Sequence, residues 1–382
     1  MFQSVYSRCI AFLVLILTTG LVHAQNSVKL NYKNAQVYAG IEVGSKGVKM
    51  SVLELPEKSK AQGDFTVIKD TSINTDFISF NDATYKATLE ALTALFRVAH
   101  ERYEIPSKFI FTAISSGVSI QSEKDNKKDW LTRLSDDFRK NIQEPAREVR
   151  VIDVTEEARL SHLGIIPDSR RYSTFLIDIG SGNTKGGFFP YNNTKDIRLF
   201  QLTWGTKSIS NETNTRLGSD ETMSNYYRQM QRVLNGPADQ EIVYAINVSG
   251  AYNMSDNIAF SGGIAWAVAT LLFPELIENA VVPVTYDEVA AFMDRIANDY
   301  KSLNDQAIVK SVTDKTVDLE LVSKQAKTVN KVFDQKAMLA GTGLLLKIMR
   351  QFEGIYEKKQ FFLVKNGQTG WISAYVKEAM NK

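Results

Sequence analysis

The chain has 382 residues, with 45 lysines and arginines against 43 aspartates and glutamates, so its net charge is only +2. That balance lacks the basic excess of a dedicated nucleic-acid binder. One cysteine and three histidines exclude an intrachain disulfide, a cysteine-based metal site and a multi-histidine centre, leaving oxygen ligands and a hard cation such as magnesium or calcium for any metal. Residues 1–24 read as a signal peptide. Arg8 supplies the positive start, Ile10 to Leu17 the short apolar run, and Val22 and Ala24 the small residues before a cleavage point at Gln25. The remainder is expected to be periplasmic or secreted, with no membrane association after cleavage. It is long enough for two domains with cores of their own.

In chain order, Val37 to Val43 and Val48 to Leu53 predict a hairpin with its turn at Gly44 to Gly47, and Phe65 to Lys69 a third strand. Leu89, Leu92, Phe96, Ala99 and Tyr103 share one face of a helix over 82–103. A strand at 108–114, a helix at 130–142, a strand at 148–154 and a helix at 155–163 follow. The pattern then restarts, with a strand at 173–178, a turn at Gly180 to Gly182, and strands at 184–189 and 197–203. Later come a helix at 221–234, a strand at 242–248 and a helix at 286–297, capped by Thr285 with Glu288. Residues 301–327 are polar and poorly patterned, and read as loop or weak structure. A strand–glycine turn–strand–strand–helix unit thus occurs twice. The expected fold is α/β, with two domains facing each other across a cleft, divided as 25–160 and 161–382.

Two loops carry the chemistry, Glu42-Val43-Gly44-Ser45-Lys46-Gly47 and Asp178-Ile179-Gly180-Ser181-Gly182-Asn183-Thr184. Each sets an acid at a strand end before a glycine-rich turn. Glycines let backbone N–H groups approach an anion, and Ser45 and Thr184 add hydroxyls. A carboxylate cannot face bare phosphate, so Glu42 and Asp178 are expected to hold a hydrated Mg2+ or another hard divalent cation that bridges to it.

These loops resemble the phosphate hairpins of the actin, sugar-kinase and Hsp70 superfamily, whose domains are actin-like (ribonuclease H-like). The run Glu156-Glu157-Ala158-Arg159-Leu160, with Leu163-Gly164 after it, is similar to a signature of the exopolyphosphatase and guanosine-pentaphosphatase (Ppx/GppA) family. Ser261-Gly262-Gly263 before a helix, 284–296, 337–346 with Ala340-Gly341, and 364–372 with Gly367 and Gly370 keep that family's order. The resemblance implies an exported, cation-dependent hydrolase of phosphoanhydrides. Polyphosphate or a nucleotide phosphoanhydride would be its ligand, and a homodimer is compatible with it. Gly44, Ser45, Lys46, Gly47, Gly180, Ser181, Gly182, Asn183, Thr184, Gly262 and Gly263 would cradle phosphate. Glu157, or Glu156 beside it, would orient or deprotonate the attacking water.

The sequence departs from the family's pattern at several positions. Glu42 stands where aspartate is usual, Gly47-Val48-Lys49 replaces Ser-x-Arg, and Lys185 replaces a glutamate. Ser119 and Ile120 occupy the places of an arginine and an acidic base, with Glu123 a few residues on. Gly44-Ser45-Lys46-Gly47 and Ser116-Gly117-Val118 also resemble the apyrase branch of the same superfamily. An apyrase-like nucleotidase, and a catalytically silent phosphate-ligand or partner-binding protein, therefore stand as alternatives.

Overall fold

Two mixed β-sheets carry the fold, and the same strand arrangement opens each of them. The structure is a computed structural model that describes residues 30, 35–56, 65–251, 255–353, 358–365 and 367–380. The expected signal peptide, residues 1–24, lies outside the described residues.

In the first sheet, β1 (Ala35–Val43), β2 (Gly47–Pro56) and β3 (Thr66–Asn74) form an antiparallel ribbon. β4 (Ile110–Ile114) lies parallel to β1 on its other side, and β5 (Val149–Val151) parallel to β4, giving the order β3-β2-β1-β4-β5. Ile41, Val43, Val48 and Met50 alternate into the core and pack with Leu92, Leu95 and Phe96 of helix α1 (Asp82–Arg97). Asn81 and Thr84 cap α1 reciprocally, and a π-helical turn over Val98–Arg102 extends it. Then come α2 (Ser116–Lys124), which the sequence reading leaves unassigned, α3 (Lys128–Ile142) and α4 (Val154–Ile165). The strand expected over 148–154 is only three residues long, because Asp153 turns out of it to cap α4 through the Glu156 N–H.

The second sheet repeats the plan. β6 (Thr174–Ile179), β7 (Thr184–Phe188) and β8 (Arg198–Leu202) are antiparallel, and β9 (Asn257–Ser261) runs parallel to β6. Helices α5 (Thr206–Thr215), α6 (Met223–Val233) and α7 (Asp239–Ser249) lie between β8 and β9 in the chain. The expected strand over 242–248 is this last helix. Ile242, Ile246 and Ser249 are buried at four- and three-residue steps, whereas Val243, Tyr244 and Val248 are exposed. A β-branched run fits either period, and the helical one buries the isoleucines.

Next come α8 (Gly263–Leu272), β10 (Val281–Val284) and α9 (Tyr286–Asn298), the last opened by the expected Thr285–Glu288 capping box. Residues 301–327 are not loop. They hold α10 (Asp305–Ser311) and the start of α11 (Leu319–Val332), capped by Asn304 and Asp318 and burying Ile308, Val322, Ala326 and Val329. Their apolar side chains are few and widely spaced, which hides the periodicity. The chain continues with α12 (Gln335–Glu353), β11 (Gln360–Val364) and α13 (Gly370–Met380), and the sheet order is β10-β11-β9-β6-β7-β8.

The last helix returns to the first sheet. Ile372 packs over Gly40, and Val376 joins Tyr38, Leu53 and Leu55 in a small cluster. Beside α4, the Gly164 α-carbon abuts the backbone of Gly370 so closely that a side chain there would overlap it. Arg159 clamps Glu378 with two hydrogen bonds of 2.7 Å. Residues 160 and 161 lie inside α4, so this helix and α13 together join the two sheets. No helix among the described residues is long and apolar enough to cross a membrane.

Candidate functional site

The β1–β2 turn closes through the Gly44 N–H on the Gly47 carbonyl at 2.8 Å and the Gly47 N–H on the Gly44 carbonyl at 3.2 Å. Gly47 lies against the Ile73 carbonyl of β3, where no side chain fits. The β6–β7 turn closes through the Gly180 N–H on the Asn183 carbonyl at 3.0 Å. Its carbonyls accept from the start of α5, where the Thr206 N–H reaches Gly180 at 3.0 Å and the Lys207 N–H reaches Ser181 at 2.7 Å. Thr184, expected as a hydroxyl donor to phosphate, is buried and donates to the Trp204 carbonyl at 2.7 Å.

The two turns meet. Gly117, at the start of α2, sits between them: a Cβ built on it would lie 3.1 Å from Ser45 Oγ and 4.0 Å from Asn183 Oδ1. Ser45, Gly117, Ile120, Gly182, Asn183 and Tyr244 are among the residues around one shared cleft of about 570 Å³. Lys46 is exposed as a residue, yet desolvation of its ammonium, followed by the charge of Lys207, lowers its pKa. One lysine comes from each turn region, and among the described residues neither has an ion-pair partner. Two mutually repelling cations beside the turns favour an anion between them.

Beneath the turns lies a charge cluster. Glu42 stands directly across the strand pair from Lys49, and Asp178 directly across from Lys185. Lys185, 8% exposed, reaches Glu157 Oε1 at 2.7 Å and Asp178 Oδ2 at 4.0 Å. Glu157, 2% exposed, also accepts the Ser116 N–H at 2.7 Å. The Ser261 hydroxyl donates to Asp178 at 2.8 Å, and the Trp371 indole N–H to Glu42 at 3.1 Å.

Burial would raise the Glu157 pKa, but the Lys185 charge and the Lys185 and Ser116 hydrogen bonds outweigh it and hold the carboxyl below its usual range. Burial, then the negative charge of Glu157, pushes Glu42 up to about 7 against the pull of Lys49, Lys185 and Trp371. Burial likewise raises Asp178, with Glu157 adding to it and Lys185 and Ser261 opposing. Lys185 itself keeps its proton, since Glu157 and Asp178 more than offset its burial.

The structure therefore brings Glu42, Glu157 and Asp178 together with both turns. Glu156 is elsewhere: it pairs with Arg150 at 2.5 Å. Gly262 lies directly behind Ile179 and Asp178 with φ +93°, a conformation that favours glycine, while Gly263 faces the Phe333 ring. The sequence reading missed Lys207 and Trp371, and it noted Lys185 only as a departure. Trp371 lies some 330 positions from its partner, beyond any local signal.

The donor set does not fit a divalent cation between Glu42 and Asp178. A lysine ammonium reaches toward Asp178 from Glu157, and internal N–H and O–H donors take one oxygen of each of the three carboxylates. Among the described residues no group of three or more histidine, cysteine, aspartate or glutamate side chains is arranged to hold a metal ion.

No protein-family model and no curated protein matches the sequence. Solved structures do match its shape. A Ppx/GppA family member of Aquifex aeolicus aligns with a TM-score of 0.60 at 15% identity, over 91% of this chain and 99% of that one. The type II variant of the Aquifex aeolicus Ppx/GppA phosphatase gives a TM-score of 0.57 at 16% identity, over 90% and 99% of the two chains. The chain has the Ppx/GppA fold. An exopolyphosphatase from Cytophaga hutchinsonii aligns over 91% of this chain and 98% of its own, with a TM-score of 0.54 and 12% identity. The expected α/β architecture of two actin-like domains across a cleft is borne out, and in this Ppx/GppA fold both glycine turns face the same cleft.

Proposed function

We propose that the cleft binds a phosphoanhydride chain, polyphosphate or a nucleoside polyphosphate, and releases phosphate from it in the manner of an exopolyphosphatase. The observation that carries this reading is the convergence of the two glycine turns, through Ser45, Gly182 and Asn183, on one cavity, with Lys46 and Lys207 beside those turns and near enough to repel each other. Backbone N–H groups of such turns suit phosphate oxygens, and the lysines supply the countercharge. Resemblance in fold to Ppx/GppA structures supports the reading. Glu157 accepts the Ser116 N–H beside Gly117, between the two turns, and in this reading it receives the proton of the attacking water. The export segment at residues 1–24 would place the activity in the periplasm or outside the cell.

A second reading, a silent phosphate-ligand binder, is favoured by one observation. Glu157 is engaged by Lys185 on one oxygen and by Ser116 on the other, so it is a weak and poorly available base. A phosphate-release assay on the full chain with polyphosphate, ATP and guanosine pentaphosphate separates the readings. Release from polyphosphate supports the first, and release from ATP alone supports an apyrase-like nucleotidase. A raised melting temperature without release supports the silent binder. No release and no stabilisation with any of the three overturns the phosphate-cleft assignment.

A further inference from the structure

Each acid at a strand end beneath the two turns has a lysine directly opposite it. Glu42 pairs in register with Lys49, and Asp178 with Lys185. The register is repeated in both sheets, but only Lys185 bridges carboxylates of the cluster, Lys49 reaching Asp70 instead. Each of the three cluster carboxylates is also held by a neutral donor: Glu42 by Trp371, Glu157 by Ser116 and Asp178 by Ser261. A divalent ion in an oxygen-ligand site needs carboxylate oxygens free to enter its shell and tolerates no ammonium within it. Here the ammonium is already present, 2.7 Å from Glu157 and 4.0 Å from Asp178, and it is nearly closed off from solvent.

We propose that Lys185 is the built-in cation beneath this cleft, standing in for a divalent metal between Glu157 and the strand-end Asp178, so that phosphate-chain binding needs no bound metal. The ammonium delivers one positive charge at a fixed position, whereas the Lys49 ammonium reaches Asp70 of β3 at 3.5 Å. Binding of the phosphate chain rests on the cleft reading given above, whereas the absence of a protein-held metal site does not.

The test uses the full chain and two titrations. Mn2+ is titrated with detection by electron paramagnetic resonance, and tripolyphosphate by calorimetry with and without EDTA. The expected result is no stoichiometric Mn2+ site in the parent protein, and tripolyphosphate affinity unchanged by EDTA. Lys185→Gln, which leaves the carboxylates without their ammonium, is expected to gain one stoichiometric Mn2+ site that the parent lacks. A parent protein that binds one Mn2+ and loses it in Asp178→Asn overturns the proposal, and so does tripolyphosphate binding abolished by EDTA. If tripolyphosphate binds under neither condition, the phosphate-cleft reading fails, and the Mn2+ titration still decides the role of Lys185. Should Lys185→Gln not fold, the measurements on the parent protein decide alone.

Discussion

Glu157→Gln probes the buried ion pair at the centre of the site. The Glu157 side chain is 2% exposed and meets the Lys185 ammonium at 2.7 Å. The amide oxygen of glutamine can still accept the Ser116 N–H, but its NH2 then faces the ammonium, donor against donor. Removing one member of a buried pair costs about 3–5 kcal/mol. Asp178, at 4.0 Å, keeps part of the attraction to Lys185, so the expected loss is about 3 kcal/mol. For a lobe of this size that corresponds to a melting temperature lower by about 6–12 °C.

Thermal unfolding followed by circular dichroism at neutral pH reads this directly. The gap should also depend on pH. The folded Glu157 carboxyl lies below its ordinary 4.5, so its stabilisation is present above that value and fades as pH falls through its lower folded value. Parent and variant should therefore converge in acid. Equal melting temperatures at neutral pH would show that the pair does not form in solution, and the argument for a constrained Glu157 would fall with it.

Glu42 titrates in the opposite sense. Its folded pKa is raised to about 7, so the unfolded chain releases this proton first, and stability should decline as pH rises from about 4.5 to about 7. Glu42→Gln should remove that decline, a difference of about 1–3 kcal/mol in urea unfolding between the two ends of the window. Lys46→Ala and Lys207→Ala should each weaken tripolyphosphate binding about tenfold in calorimetry, since a charge-assisted contact is lost, while leaving the melting temperature unchanged. Gly164→Ala should drive α4 from α13, costing about 1–3 kcal/mol and exposing the C-terminal helix to limited proteolysis.

Much of this site was legible because its two turns are local. Both turns announce themselves by an acid, a strand end and glycines within a few residues, and the repeat of strands around them was readable from apolar alternation. The helix over 239–249 was not, because Ile242, Val243, Ile246 and Val248 satisfy two periods, and only packing under β8 selects one. The helices within 305–332 escaped because their buried faces are thin. Lys185 was visible as an odd residue in the second turn, but its meaning required Glu157, which arrives from a different helix. Trp371 and Lys207 reach the site only through tertiary packing and the Ser181 turn, with no pattern in the sequence to flag them.

Phosphate-chain binding in this cleft requires both turns to grip one anion. A crystal structure of the full chain grown with tripolyphosphate measures this most directly. It should show a phosphate group within hydrogen-bonding reach of backbone N–H groups from both the Gly44–Gly47 and the Gly180–Asn183 turns, with Lys46 and Lys207 drawn toward it. Phosphate bound to one turn alone, or at a place away from the cleft around Gly117, would contradict it.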